Sequence, residues 1–175
     1  MRRKQNNIII KENHAEIEII SKKYGIFYTL IDLNDIDKIK NHCWGIHDVN
    51  NYLIIETKLK INNKYSILKL HRLIMNCPDG MIVDHINHNT LDNRKENLRI
   101  CTYKENSENR NVQKNSKSGI RGIFWNKQIS KWVAKIGHNY KHIIIGYFSN
   151  IEDAEKAVIK ARKKYFTHSQ ECILV

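Results

Sequence analysis

The stretch Val83-Asp84-His85-Ile86-Asn87-His88-Asn89, followed by Asn93-Arg94-Lys95-Glu96-Asn97-Leu98 and by Thr102-Tyr103-Lys104-Glu105-Asn106, leaves the backbone few choices. Pro78-Asp79-Gly80 is a turn by composition, so a strand carrying Val83 is expected just after it. Asn and Asp crowd the next segment, and Leu98-Arg99-Ile100-Cys101 is expected to return as the second strand of a hairpin. Thr102 then caps a helix, Glu105 completes a capping box three residues on, and the helix is expected to run to about Asn111. One carboxylate (Asp84), one imidazole (His85) and two amides (Asn97, Asn106) are thereby gathered on a hairpin and the helix it feeds. A flat strand would send Asp84 and His85 to opposite faces, so a shared site demands a twist or bulge at the strand end.

The flanking sequence favours short strands. Ile8-Ile9-Ile10, Ala15-Glu16-Ile17-Glu18-Ile19 and Ile26-Phe27-Tyr28-Thr29-Leu30 are β-branched or alternating and are broken by Asn, Lys and Gly. Asn34 is placed to cap a short helix carrying Asp35 and Asp37, and Tyr52–Glu56 and Tyr65–Leu70 read as a further hairpin. No catalytic constellation is visible there, and residues 1–64 are expected to be a β-rich scaffold. Residues 112–118 are polar, basic and aperiodic, as in a linker. Beyond them, three strands with short polar turns precede a helix capped by Asn150, with Asp153 returning the bond. Ile151, Ala154, Ala157, Val158, Ala161 and Tyr165 share one face of that helix, and the basic Lys160, Arg162, Lys163 and Lys164 are expected at its solvated end. The fold class is α+β, built of small units that are individually marginal.

Charge narrows the partner. Thirty basic against 18 acidic residues leave a net charge of +12, and both halves of the chain are positive. An anionic partner follows, with duplex DNA preferred and RNA weaker, since no stacked-aromatic RNA motif is present. No apolar run approaches a membrane span, the start Met1-Arg2-Arg3-Lys4-Gln5-Asn6-Asn7 lacks an apolar segment, and the four Cys form no Cys-x-x-Cys pair. An intracellular protein with reduced thiols is expected.

Cutting a phosphodiester requires a proton acceptor for water and charge stabilisation at the phosphate and the leaving oxygen. A neutral His serves the first need, and a hard divalent ion held by oxygen ligands serves the others. His71-Arg72, Val83-Asp84-His85, Asn93-Arg94, Glu96-Asn97-Leu98 and Glu105-Asn106 together resemble an HNH endonuclease of the kind found in phage and intron homing enzymes. The resemblance implies a ββα-metal nuclease core over residues 65–111, with Asp84 and Asn106 binding Mg²⁺ or Mn²⁺. His85 would be the general base, and Asn97 would bond the loop backbone to hold it. Asn106 is an amide where the family often has His, so metal affinity without substrate is expected to be low. His71 is expected beside the site. Arg72 and Arg99 are candidate phosphate clamps, with a structural role the equal alternative. Asn87, His88, Asn89 and Asn93 are expected to be surface or turn-shaping residues.

Residues 118–166 resemble an AP2 domain through Ile120-Arg121-Gly122-Ile123, Trp125, Lys131-Trp132-Val133-Ala134-Lys135-Ile136, Ile145-Gly146-Tyr147-Phe148 and Ala154-Glu155-Lys156-Ala157, and an AP2-like domain is expected over residues 119–175. Such domains lay a three-stranded antiparallel sheet into the major groove and pack the helix behind it. The resemblance makes Arg121, Trp125, Lys127, Lys135 and Lys141 the candidate DNA contacts, Arg121 for a guanine edge and the lysines for phosphates, with Trp132 expected in the core. Phe124, Asn126 and Gly137 stand where plant regulators have Arg, so no target sequence carries over. The expected function is site-specific, metal-dependent DNA cleavage of the homing type by a phage- or mobile-element-encoded protein acting in the host cell as a monomer. A DNA-binding regulator with a disabled nuclease core is the alternative.

Overall fold

The computed structural model describes residues 5–49, 52–139 and 141–172, and the basic start Met1–Lys4 lies outside them. The chain divides into two compact units, Met1–Thr102 and Tyr103–Val175.

In the first unit, β1 (Ile8–Ile10), β2 (Ala15–Ser21) and β3 (Gly25–Ile31) form an antiparallel sheet in that order. Strand alternation buries Ala15, Ile17 and Ile19 of β2, and the register places Thr29 of β3 directly across from Ile17. A 3-10 turn leads into α1 (Ile36–Ile39). No side chain caps either element, so Asn34 does not act as the cap. Asp35 is instead fully buried and takes ion pairs from Lys38 and Lys95. Strands β4 (Gly45–Val49), β5 (Tyr52–Ile61) and β6 (Lys64–Lys69) make a second sheet. Asn62 and Asn63, both at positive φ, turn β5 into β6, as a two-residue hairpin requires. Position 64/65 falls within β6, so scaffold and core share this hairpin. The short helix α2 (Leu70–Ile74) precedes the ribbon of β7 (Ile82–His85) and β8 (Leu98–Cys101). One core, including Ile17, Ile19, Ile31, Ile39, Trp44, Ile55, Leu70, Ile74 and Leu98, draws on both sheets, α1, α2 and β8. Full burial of such a side chain stabilises by about 1.5–3 kcal/mol. These elements therefore belong to the one compact unit Met1–Thr102.

The second unit begins with α3 (Tyr103–Glu108), which stops short of Asn111. Strands β9 (Ile123–Asn126), β10 (Lys131–His138) and β11 (Lys141–Phe148) form an antiparallel sheet in the order β11-β10-β9, and α4 (Ile151–Tyr165) packs on it. Asn150 Oδ1 accepts the Asp153 N–H at 2.8 Å, and Asn150 Nδ2 donates to Asp153 Oδ2 at 2.9 Å. Ala154, Val158 and Ala161 are buried against Ile123, Ala134 and Ile136. Gly122 sits at φ 83°, and a Cβ there would meet Lys135 O at 2.4 Å, so the Arg-Gly step is dictated by backbone approach. Glu108 ties α3 to the chain end: its Oε2 accepts from the backbone N–H of Thr167 and His168 at 2.8 and 3.0 Å.

Candidate functional site

The β7–β8 ribbon is regular to its end. Asp84 lies opposite Arg99 and His85 opposite Leu98, and Ile86 N still donates to Asn97 O at 2.9 Å. Of the twist or bulge expected at this strand end, the register shows no bulge. Asp84 and His85 are successive residues of this regular strand, and the Asp84 charge still acts on the His85 imidazole. Asp84 meets Arg99, whereas His85 lies among His71 and Asn93.

The loop between the strands is held from inside and from outside. Asn97 is buried; its Oδ1 accepts from Asn87 N at 3.0 Å and its Nδ2 donates to Asp92 O at 2.8 Å. Asn87 Oδ1 accepts from Asn89 N, Asn89 Oδ1 accepts from Leu91 N, and His88 adopts φ 64°. Asp92 is gripped by Arg94 through Nε and Nη2 at 2.8 and 2.7 Å. The outer hold comes from the scaffold: Leu30 N donates to Leu91 O, Asn93 N to Leu30 O, Thr90 Oγ1 to Leu53 O and Lys95 N to Asp32 Oδ2. These contacts cross 37 to 63 residues of chain and leave no local sequence signal.

His85 is 8% exposed, and its Nε2 lies 3.2 Å from Asn93 Oδ1. Burial pushes the imidazole below its ordinary pKa, against the opposing pull of Asn93, Asp84 and Asp92. His85 is thus neutral near pH 7. The His71 ring stands edge-on to it at 5.2 Å, and burial, helped by His85, Lys69 and Arg72, lowers His71 to about 3. Asn93, read from sequence as a surface or turn residue, is 1% exposed and lies against His85. The only sequence signal was its place beside Arg94 in the motif.

Among the described residues no cluster of three or more His, Cys, Asp or Glu could hold a metal ion. Asp84 offers one carboxylate, and Arg99 donates to its Oδ2 through both Nε and Nη2. Asn106 lies half-buried on α3, in the second unit. A single carboxylate suits a hard cation that keeps most of its water or takes oxygens from a phosphate. It does not suit a tightly held resident ion.

The candidate DNA contacts divide by what their side chains already do. Arg72 donates to Met81 O at 2.6 Å and to Cys77 O and Pro78 O, and so shapes the turn before β7. Arg121 is half-buried and donates to the carbonyls of Ser107, Glu108 and Arg110 at 2.9, 2.6 and 3.1 Å. That leaves a guanine edge little to bind. Burial lowers the Arg121 guanidinium to about 10. Arg162, expected on a solvated helix end, is 7% exposed and donates to Arg121 O and to Glu171, because the C-terminal segment folds back over it. Trp125 pairs in register with Trp132, and their rings meet edge-on at 5.2 Å; Trp132 packs on the helix-side core. Lys135 stands over the Phe124 ring at 4.8 Å, while Lys127 and Lys141 are exposed.

Residues 69–108 match the family described as HNH endonuclease. The chain is 40% identical over 55 residues to "Protein 3.8" of Escherichia phage T7, covering 31% of this chain and 46% of that one. It is 37% identical over 83 residues to "Uncharacterized HNH endonuclease L560" of Acanthamoeba polyphaga mimivirus, covering 43% and 44%. It is 32% identical over 139 residues to "Uncharacterized protein R424" of the same virus, covering 75% and 39%. The chain spans less than half the length of each of these relatives. No solved structure matches it significantly. No helix among the described residues is long and apolar enough to cross a membrane. Residues 69–108, with α2, the β7–β8 ribbon and α3, carry an HNH endonuclease family domain.

Proposed function

We propose that this protein is a site-specific DNA endonuclease of the homing type that hydrolyses phosphodiester bonds at the β7–β8 ribbon. The observation that carries the reading is His85, buried, neutral and held at Nε2 within the matched domain. A neutral imidazole in a fixed orientation is suited to take the proton of an attacking water. Asn97 keeps the loop closed around it through Asn87 N and Asp92 O. Asp84, and Asn106 by its place in the motif, would hold Mg²⁺ or Mn²⁺, and the ion would supply charge stabilisation at the phosphate and the leaving oxygen.

The second unit is proposed to be an AP2-like DNA-binding module, supported by its three-stranded sheet backed by one helix and by the exposed Lys127 and Lys141. Lys135, over Phe124, joins them on phosphate, and Trp125 contributes at its exposed edge. The substrate is duplex DNA in a host cell, in keeping with the phage and viral relatives. One motif per chain makes a monomer a nicking enzyme.

Arg99 on Asp84 favours a second reading, a DNA-binding regulator whose nuclease core is held shut. Plasmid nicking by the full chain with Mg²⁺ and with EDTA separates the two. Wild type is expected to nick only with metal, and His85→Ala and Asp84→Ala to lose roughly 10²–10⁴-fold in rate while retaining DNA binding. Normal cutting by Asp84→Ala would overturn the metal assignment.

A further inference from the structure

We propose that Thr29, on β3 of the scaffold sheet, and Asn93 are positioning residues that set the tautomer of His85: a proton on Nε2 and the lone pair on Nδ1. The inference rests on the reading of His85 as general base for its consequence, and on hydrogen-bond directions for its content.

Those directions follow from groups that can act only one way. A backbone carbonyl cannot donate, so Thr29 Oγ1, 2.7 Å from Leu91 O, spends its single proton there. Thr29 Oγ1 must then accept at its other contact, which fixes Nδ2 as the Asn93 atom 2.8 Å away. The second Nδ2 proton goes to Thr90 O at 3.3 Å, another obligate acceptor. Rotating the Asn93 amide by half a turn would set Oδ1 against Thr90 O and against a hydroxyl with no proton left to give. Oδ1 therefore faces His85 Nε2 at 3.2 Å as an acceptor, and Nε2 must carry the hydrogen. Thr29 is 0% and Asn93 1% exposed, so water does not compete. Reversing any link would leave buried acceptors facing each other, at a cost of the order of a lost hydrogen bond for each.

The tautomer is thus read out from β3, a strand with no motif residue. The backbone reinforces it: Leu30 N donates to Leu91 O and Asn93 N to Leu30 O, so β3 and the loop keep register while the side-chain chain forms. The chemical consequence is that Nδ1 is the atom able to take a proton from water. An imidazole in the wrong tautomer presents N–H there and cannot act as the base.

The test uses the full chain, labelled with ¹⁵N, and long-range proton–nitrogen correlation at mildly alkaline pH. His85 is assigned by the signals lost in His85→Gln. Wild type is expected to show His85 protonated at Nε2, and that spectrum alone decides the tautomer whether or not any variant folds. Thr29→Val and Asn93→Ala are expected to give a mixture of tautomers and to lower kcat by roughly 10²-fold or more with KM little changed. Thr29→Ser, which keeps the hydroxyl, is expected to restore both. Protonation at Nδ1 in wild type, or an unchanged tautomer in folded Asn93→Ala, overturns the proposal. A tautomer that moves as expected while His85→Ala still nicks DNA at the normal rate would leave the positioning intact and end the general-base reading.

Discussion

Arg99 lies directly across the ribbon from Asp84 and donates through Nε and Nη2, at 3.0 and 2.7 Å, to the same carboxylate oxygen, Oδ2. Both side chains are largely buried, so removing one partner leaves a charge in a poorly hydrated place, at a cost of about 3–5 kcal/mol. If Asp84 is a metal ligand, a divalent ion can take over the role of the lost guanidinium. Arg99→Gln is therefore expected to melt well below wild type in EDTA and to recover part of the loss with Mn²⁺ or Mg²⁺. Wild type should respond far less. A variant indifferent to metal in thermal melts would argue that the Asp84 oxygens do not face a cation site.

Asn97 closes the loop by serving two backbone groups at once, accepting from Asn87 N in a part-buried bond and donating to Asp92 O in a buried one. Asn97→Ala strands both and should cost about 1–3 kcal/mol per unsatisfied group. Asn97→Asp keeps the acceptor and loses the donor, so it should fall between wild type and Ala. Urea unfolding of the three proteins orders them. An Asp variant no better than Ala would show that the Asn87 contact contributes little.

His71 gives stability a pH dependence whose sign is fixed. Its folded pKa, about 3, lies below the ordinary 6.5, so between these values the unfolded chain binds the extra proton. The contribution is fully present above the ordinary value and is lost as pH falls toward the folded one, at up to about 1.4 kcal/mol per pH unit. The groups acting on it are His85, Lys69 and Arg72. His71→Asn should flatten the loss of stability on acidification across that window. Parallel stability curves for wild type and variant would show that His71 does not stay neutral in the folded protein.

Arg121 holds three carbonyls at the end of α3 and just beyond it. Arg121→Ala should therefore lower the stability of the second unit by about 1–3 kcal/mol, since the Ser107 and Glu108 carbonyls it leaves are part-buried while that of Arg110 is exposed. Preference among DNA sequences should be unchanged at a temperature where the variant is folded. Lys127→Ala and Lys141→Ala, by contrast, should leave stability alone, weaken binding to all sequences alike and reduce the salt slope by about 1 each. A selection from randomised duplexes shows which holds. Lost preference at one base pair in Arg121→Ala would return that residue to the DNA interface.

What could be read along the chain were features set by neighbours in sequence. The turn at Pro78-Asp79-Gly80, the return strand Leu98–Cys101, the cap at Asn150 and the apolar face of α4 follow from local sterics, capping and periodicity. The pattern linking Asp84, His85, Asn97 and Asn106 located the HNH domain for the same reason, since its parts lie close along the chain. Tertiary structure decided the rest. Asn93 and Thr29 meet only because β3 and the loop pair across the fold, and no pattern of either segment announces the contact. Arg99 and Arg72 looked like phosphate clamps, and Arg121 like a reader of a guanine edge, because a guanidinium reads as a free cation in a sequence. Folding brought part-buried acceptors within their reach, and a carbonyl or carboxylate shielded from water is satisfied from inside the protein.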